Sequence, residues 1–309
     1  MNVGRNTVKE PVKISKEYKV NQFKKGVFIS AFASVPVALL ITFSYIPLCN
    51  MFYYSFTSWD GLAKTKKLIG FSNYITIFSN PEYFMVFKTS LYYLVGAFIQ
   101  MAIALYFATL LTNKVKGGNF FKGILFFPNL INGVAIGMVF LCFFQVGGTL
   151  DMVLKALGLQ DWIHKWLGDR SINNMTLAAT SIWRYMGFNM VIFVGAIQSI
   201  SSEIYEAAEL DGANRWQQFR YIIMPSIKRI IQLNLLLAIN GALAVFEIPY
   251  IMTDGNNGTA TFVIQTIDTA FKYKKVGLAS AMGMVLFIIV ILVAIIQTLF
   301  LNDKREERL

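Results

Sequence analysis

Long apolar stretches separated by polar connections dominate the hydrophobic pattern of this chain. Six of these stretches reach about 20 residues, the length that an α-helix needs to cross the hydrocarbon core of a bilayer. The pattern therefore predicts an all-α membrane protein with about six transmembrane helices. The predicted spans are residues 27–51, 90–111, 123–144, 177–200, 230–252 and 277–301.

Prolines and turn-forming residues refine this picture. Pro36 and Pro47 fall in the first predicted span and Pro128 in the third, where a proline usually produces a kink. In the outer loops, the segment 145–176 is expected to contain a short surface helix. The run from residue 254 to 258 reads Asp-Gly-Asn-Asn-Gly, which is a strong turn signal.

The composition agrees with a membrane protein. Of the 309 residues, 56% are hydrophobic and 15% are charged, whereas a soluble domain carries about 25% charged residues. So few charges cannot shield that much apolar surface from water. A bilayer accepts it, because the outer faces of the helices can stay apolar.

The distribution of positive charge predicts the orientation. The net charge is +11, and residues 1–26 contain seven Lys or Arg and two acidic residues. With the N-terminus in the cytoplasm, the inner segments hold 17 Lys or Arg and the longer outer loops hold ten. Because cytoplasmic loops are enriched in Lys and Arg, we expect cytoplasmic tails at 1–26 and 302–309, around a transmembrane domain at 27–301. The same flanking placement argues against nucleic-acid binding.

Several kinds of chemistry are excluded by residue counts. Cys49 and Cys142 both lie in apolar segments, and His164 is the single histidine, in a polar connection. These residues cannot form a disulfide framework or a zinc site. The chain also has no clustered acids for catalysis and no glycine-rich phosphate loop followed by lysine. We therefore expect no enzymatic activity and no cofactor bound by this chain.

The polar loop at 201–229 carries the most informative pattern. Ser201 or Ser202 can cap a helix whose first turns hold Glu203 and Glu206, where acidic residues favour the helix dipole. Gly212 can end this helix because glycine readily adopts a positive φ. A second helical segment is predicted at 213–221, and Pro225 marks the start of the fifth span. On these residues alone, the loop could simply connect two spans.

The spacing within the loop resembles a family signature. The pattern is Glu-Ala-Ala, three residues, Gly, nine residues, Ile, one residue, Leu and Pro, as in the permeases of binding-protein-dependent ABC importers. Met replaces the usual Leu, a conservative change in volume. The positions are Glu206, Ala207, Ala208, Gly212, Ile222, Met224 and Pro225. The flanking residues that resemble the carbohydrate branch are Tyr205, Asp211, Ala213, Trp216 and Phe219.

Nearly the whole chain outside the N-terminal tail shares this resemblance, which is to the first-permease type of the maltose and multiple-sugar systems. A proline is common in that branch where Ser201 stands, and a serine cap can start the helix equally well. The similar segments are FSYIPLCNMFYYSFTSWDG at 43–61, IGFSNY at 69–74, FFKGILFFPNLI at 120–131, IWRYMGFNMVIFVGAIQSI at 182–200, FEIPYIMTDGNNGTAT at 246–261 and GLASAMGMVLF at 277–287.

The resemblance implies a type I importer fold and a division of labour. The 201–229 loop would dock on a cytoplasmic ATPase, with Glu206 in direct contact and Gly212 shaping the turn. The implied partners are a second permease, two ABC ATPase subunits that hold ATP and Mg²⁺, an extracellular sugar-binding protein and membrane lipid. The implied location is a bacterial cell membrane. The residues expected to couple to the ATPase are Glu206, Ala207, Ala208, Asp211, Gly212 and Pro225.

Two ionisable residues fall inside predicted spans, where such groups are costly and usually paired or functional. Arg184 lies in the fourth span and Glu247 in the fifth, and we expect them to be neighbours facing the interior. They could form a structural salt bridge or contact a sugar directly. Amides and aromatic rings suit a sugar pocket. The residues predicted to line the pathway are Arg184, Tyr185, Phe188, Asn189, Asn234, Asn240, Gly241, Ala242 and Glu247.

Alternative functions remain open on the sequence alone. A glycerol-phosphate substrate would require extra cationic residues in the pocket. A secondary transporter or channel would require intramembrane carboxylates for ion coupling and internal repeats, and Glu247 alone is thin support for it. The sequence does not identify the sugar.

Overall fold

A computed structural model describes residues 16–112 and 116–301. Within these ranges every regular element is a helix, as the all-α prediction requires. In chain order the helices are α1 (Lys16–Leu40), α2 (Ile46–Ser55), α3 (Ser72–Ser79), α4 (Glu82–Met85), α5 (Phe87–Thr112), α6 (Gly118–Leu130), α7 (Gly133–Phe144), α8 (Thr149–Ala156), α9 (Asn173–Gln198), α10 (Ser202–Leu210), α11 (Arg215–Gln218), α12 (Met224–Ser226), α13 (Lys228–Leu243), α14 (Glu247–Thr253), α15 (Phe262–Phe271) and α16 (Val276–Leu301).

Five helical segments are long and apolar enough to cross a membrane, and a bent pair gives a sixth if it is counted as one span. Each overlaps a predicted segment, with ends shifted by a few residues. Of the two predicted tails, 302–309 lies outside the described residues, and residues 16–26 of the first are helical. The five segments are Lys24–Ser55, Glu82–Thr112, Asn173–Gln198, Lys228–Thr253 and Val276–Leu299.

The chain forms two units, residues 1–53 and 54–309. In the first unit, α1 continues through a widened helical turn at Ile41–Tyr45 into α2. Pro47 follows this turn closely. Proline cannot donate a hydrogen bond to the carbonyl four residues earlier, and its ring crowds that carbonyl, so a wider turn relieves the conflict. Pro47, one of the two prolines predicted to kink this span, therefore lies next to a distortion of the helix.

The third predicted span is a broken helix, which corrects the expectation of a single kinked span at 123–144. Helices α6 and α7 meet at an angle of 97°. Pro128 lies inside α6, but the break comes later, at Ile131 and Asn132. The Asn132 side chain accepts a hydrogen bond from the Val134 backbone N–H at 2.8 Å and so caps α7. Asparagine at this position starts a new helix, because its side chain satisfies a free N–H group of the first turn.

The second unit is organised around α5 and α9, which pack along their lengths. At the end of this pair nearer the 201–229 loop, α5, α9 and α13 enclose an apolar core. The buried members of this core are Met101, Ala104, Ala108, Leu111, Met190, Phe193, Val194, Ile197, Ile223 and Ile227. This core fixes the spacing of the helices that carry the candidate site.

The other end of α9 is tied to the loop that follows α14. The amide of Asn173 donates to the carbonyl of Asn257 at 2.9 Å, and the amide of Asn174 donates to the carbonyl of Gly258 at 3.1 Å. Residues 254–258 form the predicted turn, and α8 is the short helix expected in the 145–176 loop. These contacts hold the loop after α14 against the start of α9.

Candidate functional site

A central cavity of about 500 Å³ lies midway along α5, α9 and α13 and reaches the start of α14. Its position follows from the breaks in the fifth span, because α13 ends at Leu243 and α14 begins only at Glu247. The lining residues are Tyr93, Ala97, Gln100, Ser181, Arg184, Tyr185, Phe188, Asn189, Asn234, Leu237, Ala238, Gly241, Ala242, Ala244, Val245, Phe246, Glu247 and Ile248.

Eight of the nine residues predicted for the pathway line this cavity, and Asn240 does not. The reason is helical geometry. Residues 234, 237, 238, 241 and 242 are spaced by three and four and therefore share one face of α13. Residue 240 falls off that face, and its Oδ1 atom is buried with no hydrogen-bond partner among the described residues. Asn240 is therefore placed behind the wall of the cavity rather than in it.

The wall contributed by α5 was missed by the sequence prediction. Tyr93 and Gln100 line the cavity, and both are largely buried, at 5% and 8% exposure. Gln100 is a polar residue in the middle of a long apolar span, and that signal could have identified it. Ser181 and Phe246 were also missed, although each lies close to a predicted residue in the chain.

Arg184 and Glu247 form the predicted pair. The Nη1 atom of Arg184 donates to Oε2 of Glu247 at 2.5 Å, so that α9 and α14 are joined by an ion pair. The arginine side chain is 12% exposed and the glutamate side chain 50% exposed. The guanidinium also lies 4.8 Å from the ring centroid of Tyr185, a distance suited to a cation–π contact.

A third helix approaches this pair through a glycine. A Cβ atom at Gly133 would overlap the Glu247 carboxylate and would lie 2.5 Å from Nη1 of Arg184. Gly133 is the first residue of α7, directly after the break in the third span. The ion pair thus sits where α7, α9 and α14 meet, and only a residue without a side chain fits beside it.

The 201–229 loop is built from two short helices around a glycine turn. The Ser201 hydroxyl accepts a hydrogen bond from the Glu203 N–H and caps α10, as predicted. Gly212, with a φ of 79°, lies just after the end of this helix. That left-handed conformation favours glycine, because a side chain there would be strained.

The second helix of the loop begins at Arg215, two residues later than predicted. Asn214 and Gln217 form a capping box: the Asn214 side chain accepts from the Gln217 N–H, and the Gln217 side chain accepts from the Asn214 N–H. The helix then continues through a widened turn at Phe219–Ile223 to α12. Pro225 follows this turn as Pro47 follows its own, which gives the same relief of the proline conflict.

Some apolar side chains of the 201–229 loop pack on the core of the helix bundle, and others are exposed. Tyr205 and Phe219 pack against the apolar core between α5 and α9. Burial raises the pKa of the Tyr205 hydroxyl above its ordinary value. The exposed apolar side chains of the loop are Leu210, Trp216 and Tyr221, at 89%, 68% and 76% exposure.

Most of the residues predicted to couple to an ATPase are exposed as well. Ala208 is the exception, because it is half-buried. The remaining predicted positions are exposed, namely Glu206, Ala207, Asp211, Gly212 and Pro225. Exposed apolar surface of this kind commonly marks a protein–protein contact.

Two solved structures share this fold over most of the chain. The chain superposes on a subunit in the crystal structure of a bacterial ABC transporter involved in the import of the acidic polysaccharide alginate, with a TM-score of 0.79 and 19% identity, over 91% of this chain and 97% of that one. The same kind of transporter, crystallised with an alginate pentasaccharide-bound periplasmic protein, gives a TM-score of 0.77 with 21% identity over 93% and 98% of the two chains. These similarities establish the fold.

Sequence relatives extend the comparison over nearly the whole chain. A probable ABC transporter permease protein of Bacillus subtilis, YurN, is 32% identical over 88% of this chain and 96% of its own length. The multiple sugar-binding transport system permease protein MsmF of Streptococcus mutans is 29% identical over 86% and 92% of the two chains. The probable starch degradation products transport system permease protein AmyD of Thermoanaerobacterium thermosulfurigenes is 28% identical over 93% and 98%.

One family description covers the region that contains both the central cavity and the 201–229 loop. The profile of the binding-protein-dependent transport system inner membrane component matches residues 100–306. This match includes two thirds of the chain and agrees with the apolar spans. The chain is a multi-pass membrane protein that belongs to the family of binding-protein-dependent transport system inner membrane components.

Proposed function

We propose that this chain is a carbohydrate permease, forming one half of the pathway of an ATP-driven importer. The observation that carries this proposal is the central cavity, which combines amides, hydroxyls and aromatic rings midway along three spans. Sugars need this combination, because their hydroxyls require hydrogen bonds and their apolar faces stack on rings. Relatives named for multiple-sugar and starch-product transport, and for lactose transport in Rhizobium radiobacter, support a carbohydrate ligand.

The 201–229 loop is proposed to couple the cavity to an ATPase. Its helix α10 follows directly from α9, which lines the cavity, and its residues Tyr205 and Phe219 pack on the core between α5 and α9. A push on the exposed side of the loop would therefore move α9 as a rigid body rather than bend a flexible connection. Such a two-state movement of a packed bundle is how distant sites are linked energetically.

The remaining parts of the importer are proposed to come from partner chains. ATP and Mg²⁺ would bind to two ABC ATPase subunits, and a second permease would complete the pathway. An external sugar-binding protein would deliver the ligand at the opposite side. The distribution of Lys and Arg supports cytoplasmic termini and a cytoplasmic 201–229 loop, in a bacterial cell membrane.

The charge of the cavity bears on the alternatives. A secondary transporter would use a carboxylate to couple an ion, but the Glu247 carboxylate is already paired with Arg184. A glycerol-phosphate permease would need surplus positive charge at the ligand. The described lining has one positive and one negative side chain, so neither alternative is favoured.

Affinity purification from the native membrane tests the proposal. The tagged chain is extracted in mild detergent and its companions are identified by mass spectrometry. We expect a second permease and an ABC-type ATPase. Glu206→Lys is expected to lose the ATPase and to keep the second permease, because it reverses charge on the exposed side of the 201–229 loop alone.

A matched control uses another exposed acid far from the loop. Glu82→Lys in α4 makes the same charge change and should keep both companions. If the wild-type chain purifies alone or as a homodimer without any ATPase, the importer proposal fails and a secondary transporter becomes the leading interpretation. Equal loss of the ATPase by both variants would show that Glu206 has no special role.

A further inference from the structure

The charged residues of the central cavity are balanced. Among the described residues that line it, Arg184 supplies one positive charge and Glu247 one negative charge, and the other lining side chains are neutral. The two charges are in direct contact. The cavity therefore offers polar groups without a net charge.

We propose that the Arg184–Glu247 pair is a charge filter, which makes the cavity accept neutral carbohydrates and reject acidic or cationic ones. This inference rests on the proposed function and specifies its substrate class. Glu247 acts by neutralising the guanidinium, and Arg184 acts by neutralising the carboxylate. Either residue alone would leave an unbalanced full charge in the cavity, and that charge would attract a ligand of the opposite sign.

The neutral polar groups of the wall are those that sugar hydroxyls can satisfy. The hydroxyls of Tyr93 and Ser181 are buried without a hydrogen-bond partner in the part of the chain that the structure describes. The Nε atom of Arg184 is in the same condition. Unsatisfied buried polar atoms cost free energy, so a ligand that reaches these three atoms through a shift of the surrounding side chains gains affinity. A polyol can donate to or accept from the two hydroxyls and can accept from the Arg184 Nε–H, without bringing a charge of its own.

Neighbouring residues restrict the movement of the Arg184 and Glu247 side chains away from each other. Gly133 approaches so closely that the carboxylate has little space on the side of α7. The guanidinium is held on its other side by the ring of Tyr185. A negatively charged ligand would have to pull Arg184 away from Glu247 or face the half-exposed carboxylate, and both outcomes disfavour its binding.

Binding to the purified complex measures this filter directly. The complex of both permeases and the ATPase subunits is prepared in detergent without the external binding protein, because that protein imposes its own selectivity. Three radiolabelled probes of similar size are compared by equilibrium dialysis: neutral maltotriose, acidic trigalacturonate and cationic triglucosamine at pH 6. Affinity ratios between probes report selectivity independently of the amount of folded protein.

The two single variants have opposite expected effects. Glu247→Gln leaves the cavity positive and should increase the affinity for trigalacturonate about tenfold or more, with a gain that shrinks at high salt. Arg184→Gln leaves it negative and should increase the affinity for triglucosamine by a similar factor. If one variant does not yield intact complex, the other decides, since each tests the same balance from the opposite side.

Two further variants separate charge from shape. The double variant Arg184→Gln/Glu247→Gln restores neutrality and should lose both gains. Glu82→Gln removes an exposed acid outside the cavity and should behave as wild type. Unchanged probe ratios in both single variants, or a trigalacturonate gain that persists in the double variant, would overturn the filter. A complex that retains its ATPase but shows no charge-dependent ratio refutes the filter and leaves the importer proposal intact.

Discussion

The two halves of the α5–α9 helix pair are built differently. Near the 201–229 loop the pair is closed by apolar side chains, and Phe193 is 1% exposed there. Less than two turns away on the same helix, Phe188 borders the central cavity and is 39% exposed. In the proposed importer, the packed half would transmit force through its side chains, and the other half leaves space for a ligand.

This difference has a physical basis in the membrane. Lipid tails are as apolar as leucine, so helix association inside a bilayer depends on close packing and hydrogen bonds rather than on removal of apolar surface from water. A cavity between helices gives up part of that packing. The tightly packed half must then supply most of the packing that stabilises the helix bundle. The following variants test this difference between the two halves.

The largest expected effect comes from emptying the packed half. Phe193→Ala should lower the free energy of unfolding by about 3–5 kcal/mol, because it removes a fully buried ring. Phe188→Ala should leave stability nearly unchanged and should weaken sugar binding instead. Thermal unfolding of the purified protein in detergent measures the first effect, and ligand binding measures the second. Similar stability losses in both variants would remove the distinction between the two halves.

A smaller effect is expected where α6 crosses α9. A Cβ atom at Gly187 would overlap the Leu125 carbonyl and would lie 2.8 Å from Cα of Phe126, so Gly187→Ala must push backbone apart. We expect a loss of about 1–3 kcal/mol, which is typical of overpacking. Gly195→Ala in the same helix is the control, since no described atom lies within 4 Å of its added methyl group. That variant should be neutral or slightly stabilising, and a matching loss there would contradict the close crossing.

Removing the capping box of the 201–229 loop should cost less. Asn214→Ala deletes the acceptor for the Gln217 N–H and is expected to destabilise the second loop helix by about 1 kcal/mol. Asn214→Asp retains an acceptor at the same place and should restore most of the loss. Amide hydrogen exchange over residues 214–218 measures the local opening. Equal exchange rates in the alanine and aspartate variants would show that the cap contributes nothing.

The smallest effect is expected at Tyr205. Its hydroxyl is buried with no partner among the described residues, while its ring packs on the apolar core. Tyr205→Phe keeps the ring and removes the unsatisfied group, so stability should be unchanged or should rise by less than about 1 kcal/mol. A clear loss of stability would instead show that the hydroxyl has a hydrogen-bond partner. If the variant then keeps the ATPase, that partner lies in this chain; if it loses the ATPase, the partner lies in the ATPase.

Most of the fold was predictable because span length is a direct physical requirement. The apolar runs at 90–111, 177–200 and 277–301 are reproduced within a few residues by α5, α9 and α16. The break between α6 and α7 was not predictable from hydropathy, since both halves are apolar. Pro128 drew attention to the right segment, but the Asn132 cap decides where the second half begins.

Site residues were predictable where their residue type is rare inside an apolar span, and less predictable where it is common there. Arg184 and Glu247 are unusual inside apolar spans, so their pairing could be foreseen. Asn240 was misplaced because an amide on a helix faces the cavity or the protein according to its angular position, which depends on the neighbouring helices. The cavity wall formed by α5 was missed for a related reason. In the sequence, Tyr93 and Ala97 resemble ordinary packing residues, and only the tertiary structure places them at the cavity.

Gly133 has a consequence for how such chains can diverge. Its lack of a side chain is required while an arginine and a glutamate occupy positions 184 and 247, because the atoms nearest to an added Cβ belong to this pair. Lineages that replace the charged pair with smaller residues are free to place alanine or serine at 133, whereas lineages that keep the pair are not. The three positions should therefore change together across related permeases, and a lineage with a side chain at 133 beside an intact pair would carry a compensating shift in α7.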